Sequence, residues 1–253
     1  MTLLQAIDIR RSRRKYLPEP IDAQTKEALT ALAAEYSLRA ADSDKAGARI
    51  ELVFDNPAAF GSLRKTYGLL TGVHSYAGLI VNPSDKHAVE RLGYFGELLM
   101  LHAVALGLGT CWVGGSFDRA SCPFALAEGE EIICTISLGP VKEKNSLRES
   151  FFYGVTHRKT KTAEQMMKAD APVPGWFKAG MEAVQKAPSA VNRQPVMFSY
   201  KNGADGTGAV VSASVESEGA ATLLDFGIAK LHFELGAGGG AWEWGNGGHY
   251  TSA

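Results

Sequence analysis

Apolar and polar positions in the first half of the chain alternate with periods that predict helices and strands. Asp22 has a side chain preferred before a first helical turn, and the apolar run at residues 77–81 is typical of a buried strand. The predicted elements are, in chain order, a short helix over residues 3–10, a helix over 22–38, strands over 49–54 and 77–81, a long helix from Ser84 or Asp85 to Leu106 closed by Gly107, and a strand over 131–138.

The second half repeats this order of elements. After a crossing segment with a short helix at 162–168, the pattern predicts a helix over 175–186, a hairpin of strands at 196–200 and 209–215, and a second long helix over 223–235. Phe95-Gly96 opens the first long helical run, which ends in Gly-Leu-Gly-Thr-Cys-Trp at 107–112, and Phe226-Gly227 opens the second, which ends in Gly-Gly-Gly-Ala-Trp at 238–242. We therefore predict an α+β fold with a central, mostly antiparallel sheet flanked by helices, in related halves over 1–160 and 161–253.

Composition is ordinary for a soluble globular protein, with 45% apolar and 21% charged residues in 253. The formal net charge of −1 gives no field that attracts nucleic acid or an anionic membrane. No stretch approaches the roughly 20 apolar residues that span a bilayer, and charged residues interrupt any apolar leader. The three cysteines have neither zinc-site nor disulfide-framework spacing, so we expect reduced thiols. These features predict a cytoplasmic protein without nucleic-acid or membrane partners.

A cluster of five cations occupies the six positions from 10 to 15, and their mutual repulsion favours a bound anion. Arginine offers a planar fork of donors that matches phosphate oxygens, and Ser12 adds a hydroxyl. Arg10, Ser12 and Arg14 share one side if the segment is extended. The alternative is a solvated basic patch after a helix C-terminus, where cations offset the helix dipole. The phosphate of a small cofactor suits the cluster better than nucleic acid, because the rest of the chain is not basic.

A compact polar loop lies between the two prolines of residues 187–195. We expect Ser189, Asn192 and Gln194 to point outward from it. Their amides and hydroxyl combine donors and acceptors, as the recognition of a heterocycle edge or a polyol requires. The alternative is a strand-entry loop whose side chains satisfy its own backbone.

The glycine-rich end of the first long helix, residues 107–115, would let backbone N–H groups approach a flat ligand. It is not a dinucleotide fingerprint, which follows a strand and opens a helix. The sequence contains no P-loop, H-E-x-x-H or G-x-S-x-G motif, and its histidines have no ligand spacing, so we predict no catalytic side chain and no metal site. Arg158 and Lys159 follow the first half, either near the arginine cluster or as part of a solvated linker.

Three motifs together resemble the FMN-dependent nitroreductase family. They are Arg-Arg-Ser-x-Arg at 10–14, Gly-Leu-Gly-Thr-Cys-Trp at 107–112 and Ala-Pro-Ser-Ala-x-Asn-x-Gln-Pro at 187–195. In ordinary members the Pro-Ser-x-x-Asn loop closely follows the arginine motif, whereas residues 33–46 here contain no such loop. This layout resembles the Thermotoga-type nitroreductases, in which one chain spans two related halves.

The resemblance implies a fused pseudo-dimer with one FMN per chain. The first half would supply the phosphate grip and the ring platform, and the second half the polar loop. The implied FMN-binding residues are Arg10, Arg11, Ser12, Arg14, Trp112, Val113, Gly114, Arg158, Lys159, Pro188, Ser189, Ala190, Asn192 and Gln194. The chain would be either a monomer, in which the two halves form the pseudo-dimer, or a homodimer.

The activity that the resemblance implies is a ping-pong cycle in which NAD(P)H reduces FMN and a small-molecule acceptor, such as a nitroaromatic or a quinone, reoxidises it. The flavin would carry the chemistry, and the protein would orient it. One alternative is a non-enzymatic FMN-binding sensor or flavin store. Another is that the basic arm docks an acidic partner.

Overall fold

Each half of the chain forms a sheet of its own. The computed structural model describes residues 1–41, 47–143, 160–202 and 209–253. These residues pack as two units. Unit 1 comprises Met1–Ala88 and the described residues from Phe95 to 143, and unit 2 comprises Val89–Tyr94 and the described residues from 160 onward. The domain division after residue 160 stays a prediction.

Unit 1 is built around a four-stranded antiparallel sheet. Its elements are α1 (Leu3–Ile9), α2 (Ala23–Ala40), β1 (Ala48–Val53), α3 (Leu63–Thr66), β2 (Ser75–Val81), α4 (Ala88–Ala105), β3 (Gly109–Val113) and β4 (Glu131–Gly139). The strand order is β1-β2-β4-β3, so β3 lies at an edge. The Asp22 side chain caps α2 by accepting the Thr25 N–H at 2.9 Å, as the sequence predicts. Strand β2 is buried along its whole length, in agreement with its unbroken apolar run.

Unit 2 contains a five-stranded sheet. Its elements are β5 (Met167–Ala169), α5 (Gly175–Gln185), β6 (Val196–Lys201), β7 (Val210–Val215), α6 (Ala220–Ala237), β8 (Gly240–Trp242) and β9 (His249–Ser252). The strand order is β5-β6-β7-β9-β8, with β5 parallel to β6 and the other pairs antiparallel. Aromatic rings fill the core, with Phe198 stacked on Phe233 at 5.0 Å between centroids and Trp242 at 5.0 Å from Tyr250.

The two sheets have the same connectivity. The order β1-β2-β4-β3 of unit 1 recurs as β6-β7-β9-β8 in unit 2, with a long helix before the last two strands each time. The predicted α+β class with mostly antiparallel pairing is confirmed, and each related half has its own sheet.

The glycine-rich segment after α4 is a strand, where the sequence suggested a helix end. Helix α4 ends at Ala105, Gly107 turns the chain at φ 88°, and Cys111 then pairs with Ser137 of β4. The run Thr-Cys-Trp-Val contains the β-branched and aromatic residues that favour a half-buried strand.

The start of α4 also differs from the prediction. Ser84 and Asp85 do not cap it, because the helix begins at Ala88 after His87. Asp85 instead accepts the His87 N–H at 3.1 Å in the preceding turn. The predicted helix at 162–168 is a single 3₁₀ turn, Ala163–Met166, and the chain then extends as β5 beside β6.

A pair of glycines brings the first turns of α4 against α6 within unit 2. A Cβ atom on Gly93 would meet the Leu224 carbonyl, and one on Gly227 would meet the Glu90 carbonyl. These contacts are reciprocal, because each glycine meets the residue three positions before the other. Gly93, and not Gly96, therefore makes the contact that matches Gly227; Gly96 packs against Leu79 and Trp112 in unit 1.

Among the described residues, no helix is both long enough and apolar enough to cross a membrane.

Candidate functional site

The arginine segment runs beside β3, an edge strand of the sheet, and bonds to it. Ser12 makes a parallel bridge with Thr110, and the Arg13 N–H donates to the Thr110 carbonyl at 2.8 Å. Further along, the Thr71 N–H donates to the Arg14 carbonyl at 2.9 Å. Unit 1 therefore brings together two of the three segments singled out in the sequence.

Arg10 differs from the neighbouring arginines in having donors that no described residue accepts. Its side chain is only 10% exposed, and its Nε lies 3.9 Å from the carboxylate of Glu97, which is fully buried. Nε and Nη1 of Arg10 are buried and have no hydrogen-bond partner among the described residues. A buried guanidinium in this condition favours an additional anionic acceptor, since buried polar groups are normally hydrogen-bonded.

The other arginines of the segment have different tasks. Arg11 is exposed and its Nη1 donates to the carbonyls of Asp8, at 3.0 Å, and Arg10, at 2.7 Å, at the end of α1. Arg13 is buried and its Nη2 donates to the Lys142 carbonyl at 2.8 Å. Arg14 is half-buried, with Nη1 at 3.4 Å from the Ser12 carbonyl. In an extended segment successive side chains point to opposite sides, so Arg13 is expected to lie opposite Ser12 and Arg14.

The end of β3 combines a fixed tryptophan with open glycines. The Trp112 indole N–H donates to Glu97 of α4 at 2.7 Å. Val113 is buried, whereas Gly114 is exposed. A Cβ atom on Gly114 or Gly115 would meet no atom within 4 Å, so a flat ligand has room beside this backbone. The Gly114 carbonyl accepts a hydrogen bond from Arg119 Nη2 at 3.0 Å.

Glu97 was not identified from the sequence. It connects Arg10 of the arginine segment to Trp112 of β3 through one carboxylate. The available signal was that Glu97 is a single charged residue directly before the apolar helical run Leu-Leu-Met-Leu. A charged side chain in such a place is rarely buried without partners.

The loop over residues 187–195 has a strained backbone. Val191, Asn192 and Gln194 lie in the left-handed region, with φ of 48°, 52° and 47°. Such a conformation costs of order 1–3 kcal/mol for a residue that is not glycine, and it persists only when surrounding contacts enforce it. Strain of this kind is often found at ligand sites.

Hydrogen bonds inside unit 2 hold this loop. The Gln194 N–H donates to the Ser189 hydroxyl at 3.0 Å, and the Ala190 N–H donates to both carboxylate oxygens of Asp225 at 3.0 and 3.1 Å. The Asn192 N–H donates to the Ser189 carbonyl at 3.0 Å. The loop therefore satisfies much of its own backbone, as the alternative interpretation of its sequence expected.

Gln194 points inward, whereas its sequence predicts an outward orientation. It is 5% exposed, its Oε1 accepts the Lys161 N–H at 2.8 Å, and its Nε2 donates to the Gln185 carbonyl at 3.2 Å. The partners lie far away in sequence, which is why the loop pattern alone could not reveal them. Pro188, Ser189 and Asn192 are half-buried, and Ala190 is exposed. Arg158 and Lys159 lie outside the described residues.

Burial raises the pKa of Asp225 to about 7, while the Ala190 N–H and the charge of Arg193 act in the opposite direction. Asp225 was another residue that sequence analysis missed. It too is a single charge in an apolar helical run, Leu-Leu-Asp-Phe-Gly-Ile.

The glycine-rich tail of unit 2 is closed by internal contacts. Lys230, fully buried, pairs with Glu90 at 2.5 Å and donates to the carbonyls of Glu243 and Gly245 at 2.8 and 3.3 Å. The other Glu90 oxygen accepts the Gly245 N–H at 2.7 Å. Burial lowers the pKa of Lys230, and the carboxylate of Glu90 opposes that shift. The tail is thus a packed structural element.

The fold and these segments define a nitroreductase-like α+β protein. The family model described as "Putative TM nitroreductase" matches residues 2–237, and the chain belongs to that family.

A structure described as a "putative nitroreductase" from Thermotoga maritima is similar over 99% of this chain and 92% of its own, with a TM-score of 0.63 and 19% identity. An FMN-dependent nitroreductase from Clostridium difficile covers 60% of this chain and 96% of its own, at TM-score 0.41 and 17% identity. A nitroreductase with bound FMN from Bacteroides fragilis covers 58% and 95%, at TM-score 0.42 and 18% identity. Among curated proteins, none matches the chain.

Proposed function

We propose that the protein is an FMN-dependent oxidoreductase that uses NADH or NADPH as hydride donor and a nitroaromatic, quinone or similar small molecule as acceptor. The observation that carries the proposal is the buried Arg10 guanidinium, whose Nε and Nη1 have no hydrogen-bond partner among the described residues, beside β3 in a chain of the nitroreductase family. When bound, FMN would accept hydride from NAD(P)H and pass it to the acceptor in separate half-reactions.

The residues of unit 1 fit the phosphate and the ring of such a cofactor. Arg10, Ser12 and Arg14, at alternate positions of a segment that runs beside β3, would share one side and hold the phosphate through charge-assisted hydrogen bonds. The backbone of Trp112, Val113 and Gly114 would lie against the ring, where N–H donors stabilise negative charge. The open space around Gly114 supports this assignment. Arg11, occupied at the end of α1, would act only through its charge.

The polar loop of the second half would contribute Pro188, Ser189, Ala190 and Asn192 to the same FMN. The family resemblance supports this step, and so does the strained backbone at Asn192. Gln194 would contribute by holding the loop, since its amide is bound to Lys161 and Gln185. The closed glycine tail of unit 2 supports one FMN per chain, whether the chain is a monomer or forms a homodimer.

The absorbance spectrum of the purified protein tests first whether the chain binds FMN and then whether NADH or NADPH reduces it. Flavin absorbance, present on isolation or after adding FMN, is the result expected. Anaerobic bleaching by NADH or NADPH and recovery with a quinone are expected of the oxidoreductase. Flavin absorbance without bleaching would identify a sensor or store. A colourless protein that FMN does not reconstitute would contradict both.

Paired substitutions test the shared use of one FMN by both halves. Arg14→Ala and Asn192→Ala are each expected to weaken FMN binding at a single site, by about tenfold or more for the lost bond of Arg14 to a charged group and by about 2 to 10-fold for a lost neutral hydrogen bond of Asn192. A fluorescence titration of FMN measures this effect. If only Arg14→Ala weakens binding, the loop does not serve that FMN.

A further inference from the structure

We infer that Asp225 is a positioning residue, which holds the loop around Ser189, Ala190 and Asn192 in the conformation that presents Asn192 to a ligand. The expected effect of Asp225 on FMN affinity rests on the proposed function. The loop's dependence on Asp225 is a separate claim and can be measured without any ligand.

The contact itself is local and well formed. Asp225 lies in the second turn of α6 and is 6% exposed. Both oxygens of its carboxylate accept the Ala190 N–H, at 3.0 and 3.1 Å. A hydrogen bond to a carboxylate is stronger than one between neutral groups. One helix residue therefore holds the first residue of the 3₁₀ turn Ala190–Asn192.

The loop needs such a contact because its backbone is unfavourable without one. Val191 is β-branched and adopts φ 48°, a genuine outlier for its type. Its side chain is 56% exposed, so packing of that side chain does not enforce the conformation. Hydrogen bonds to the residues on either side must therefore supply most of the restraint.

The side chains around the Asp225 carboxylate are mainly apolar. Apolar side chains of Met166, Val184 and Ala229 line the small space beside Asp225. Arg193 is the charged group whose field reaches the carboxylate. An apolar side chain at position 225 would remove the carboxylate and leave the N–H of the exposed Ala190 to water, so the strained turn would lose the fixed acceptor that α6 supplies.

Two substitutions of opposite character separate positioning from bulk stability. Asp225→Leu removes the acceptor, whereas Asp225→Asn keeps one amide oxygen for the Ala190 N–H. In the full chain, amide hydrogen exchange of residues 190–194 in Asp225→Leu is expected to be about 10 to 100 times faster than in wild type, for a lost hydrogen bond to a charged group. Asp225→Asn is expected to restore most of the protection, and FMN affinity is expected to follow the same order.

A third variant works from the other side of the bond. Ala190→Pro removes the donor and leaves Asp225 intact, and proline is tolerated at the first position of a helical turn. It is expected to speed exchange at Asn192 and Gln194, and it keeps the test valid if Asp225→Leu fails to fold. Glu218→Gln, at an exposed carboxylate just before α6, is the matched control and is expected to change neither exchange nor affinity.

The outcomes distinguish this inference from the proposed function. Unchanged exchange at residues 191–194 in both Asp225→Leu and Ala190→Pro would overturn the positioning role. Faster exchange with unchanged FMN affinity would overturn its link to the ligand. If the wild-type chain does not bind FMN, the proposed function fails, and the exchange data still decide whether Asp225 holds the loop.

Discussion

The turn from α4 into β3 and the turn from α6 into β8 share a backbone plan and differ in their surroundings. Gly107 and Gly238 both follow their helices at positive φ, 88° and 94°. Both tryptophans donate an indole hydrogen bond to the helix before them, Trp112 to the Glu97 carboxylate at 2.7 Å and Trp242 to the Lys230 carbonyl at 3.0 Å.

The difference begins two residues later. Gly114 has open space around it, whereas Trp244 in the corresponding place packs edge-on against Tyr94 at 5.5 Å. The following Gly245 is bound by both members of the Glu90–Lys230 pair. The turn at Gly114 thus has open space beside its backbone, whereas the turn at Gly245 is used for stability. Sheets of the same connectivity need not carry the same site, because a few side chains decide how much of the backbone is accessible.

The largest expected loss of stability follows from removing the buried ion pair that holds the turn at Gly245. Lys230→Met would leave the buried Glu90 carboxylate and two carbonyls without their donor, and breaking a buried ion pair on one side costs about 3–5 kcal/mol. Urea denaturation measures the free energy of unfolding. Glu35→Gln, in the exposed pair with Arg39, is the control and should cost less than about 0.5 kcal/mol. Similar costs for both variants would show that the ion pair does not close the tail.

Removing single arginines tests the open turn. Arg10→Ala is expected to weaken FMN binding by about 10 to 100-fold, as for a lost hydrogen bond to a charged group. Arg11→Ala is the matched control, because the Arg11 side chain is occupied by carbonyls of α1. An FMN titration compares the two. Equal losses would mean that the general positive charge matters, and not the two Arg10 nitrogens that have no partner among the described residues.

The same substitution in the two turns should have opposite consequences. Alanine at Gly240, φ 141°, would place a Cβ against the Thr251 carbonyl and the Tyr250 hydroxyl, and overpacking costs about 1–3 kcal/mol. Gly114→Ala should change stability by less than about 0.5 kcal/mol, as is usual for open surface positions, and should weaken FMN binding. Thermal unfolding and FMN titration give both values. A destabilised Gly114→Ala would contradict the open turn.

The Asp225 carboxyl of α6 should make the stability of the fold depend on pH. The pKa of Asp225 is about 7 in the fold and near its ordinary value of 3.8 when unfolded. Between these values the folded state binds more protons, so the free energy of unfolding should fall as pH rises from about 4 to 7, by at most about 1.4 kcal/mol per pH unit. Above about 7 this contribution should be flat. Asp225→Asn should lack the decrease; an identical pH profile in wild type and variant would contradict the shift.

The sequence predicted what local pattern determines. The α+β class, the capping of α2 by Asp22 and the β6–β7 hairpin all follow from periodicity and side-chain type. The shared side of residues 10, 12 and 14, which the sequence analysis made conditional on an extended segment, stays a prediction.

Contacts between distant residues could not be predicted in the same way. Gln194 turns inward because Lys161 and Gln185 bind its amide, and Glu97 and Asp225 acquire their roles from Trp112 and Ala190. Nor could a helix end be told from a strand at residues 109–113, since a short apolar run after glycine suits either. The isolated charges in apolar runs were the signal that could have marked both carboxylates.

The stoichiometry of FMN tests the central claim most directly. Titration of the purified chain with FMN, followed by fluorescence and checked by flavin absorbance after desalting, counts the sites. The open turn in unit 1 and the closed turn in unit 2 predict one FMN per chain. Two FMN per chain, or none, would contradict this account.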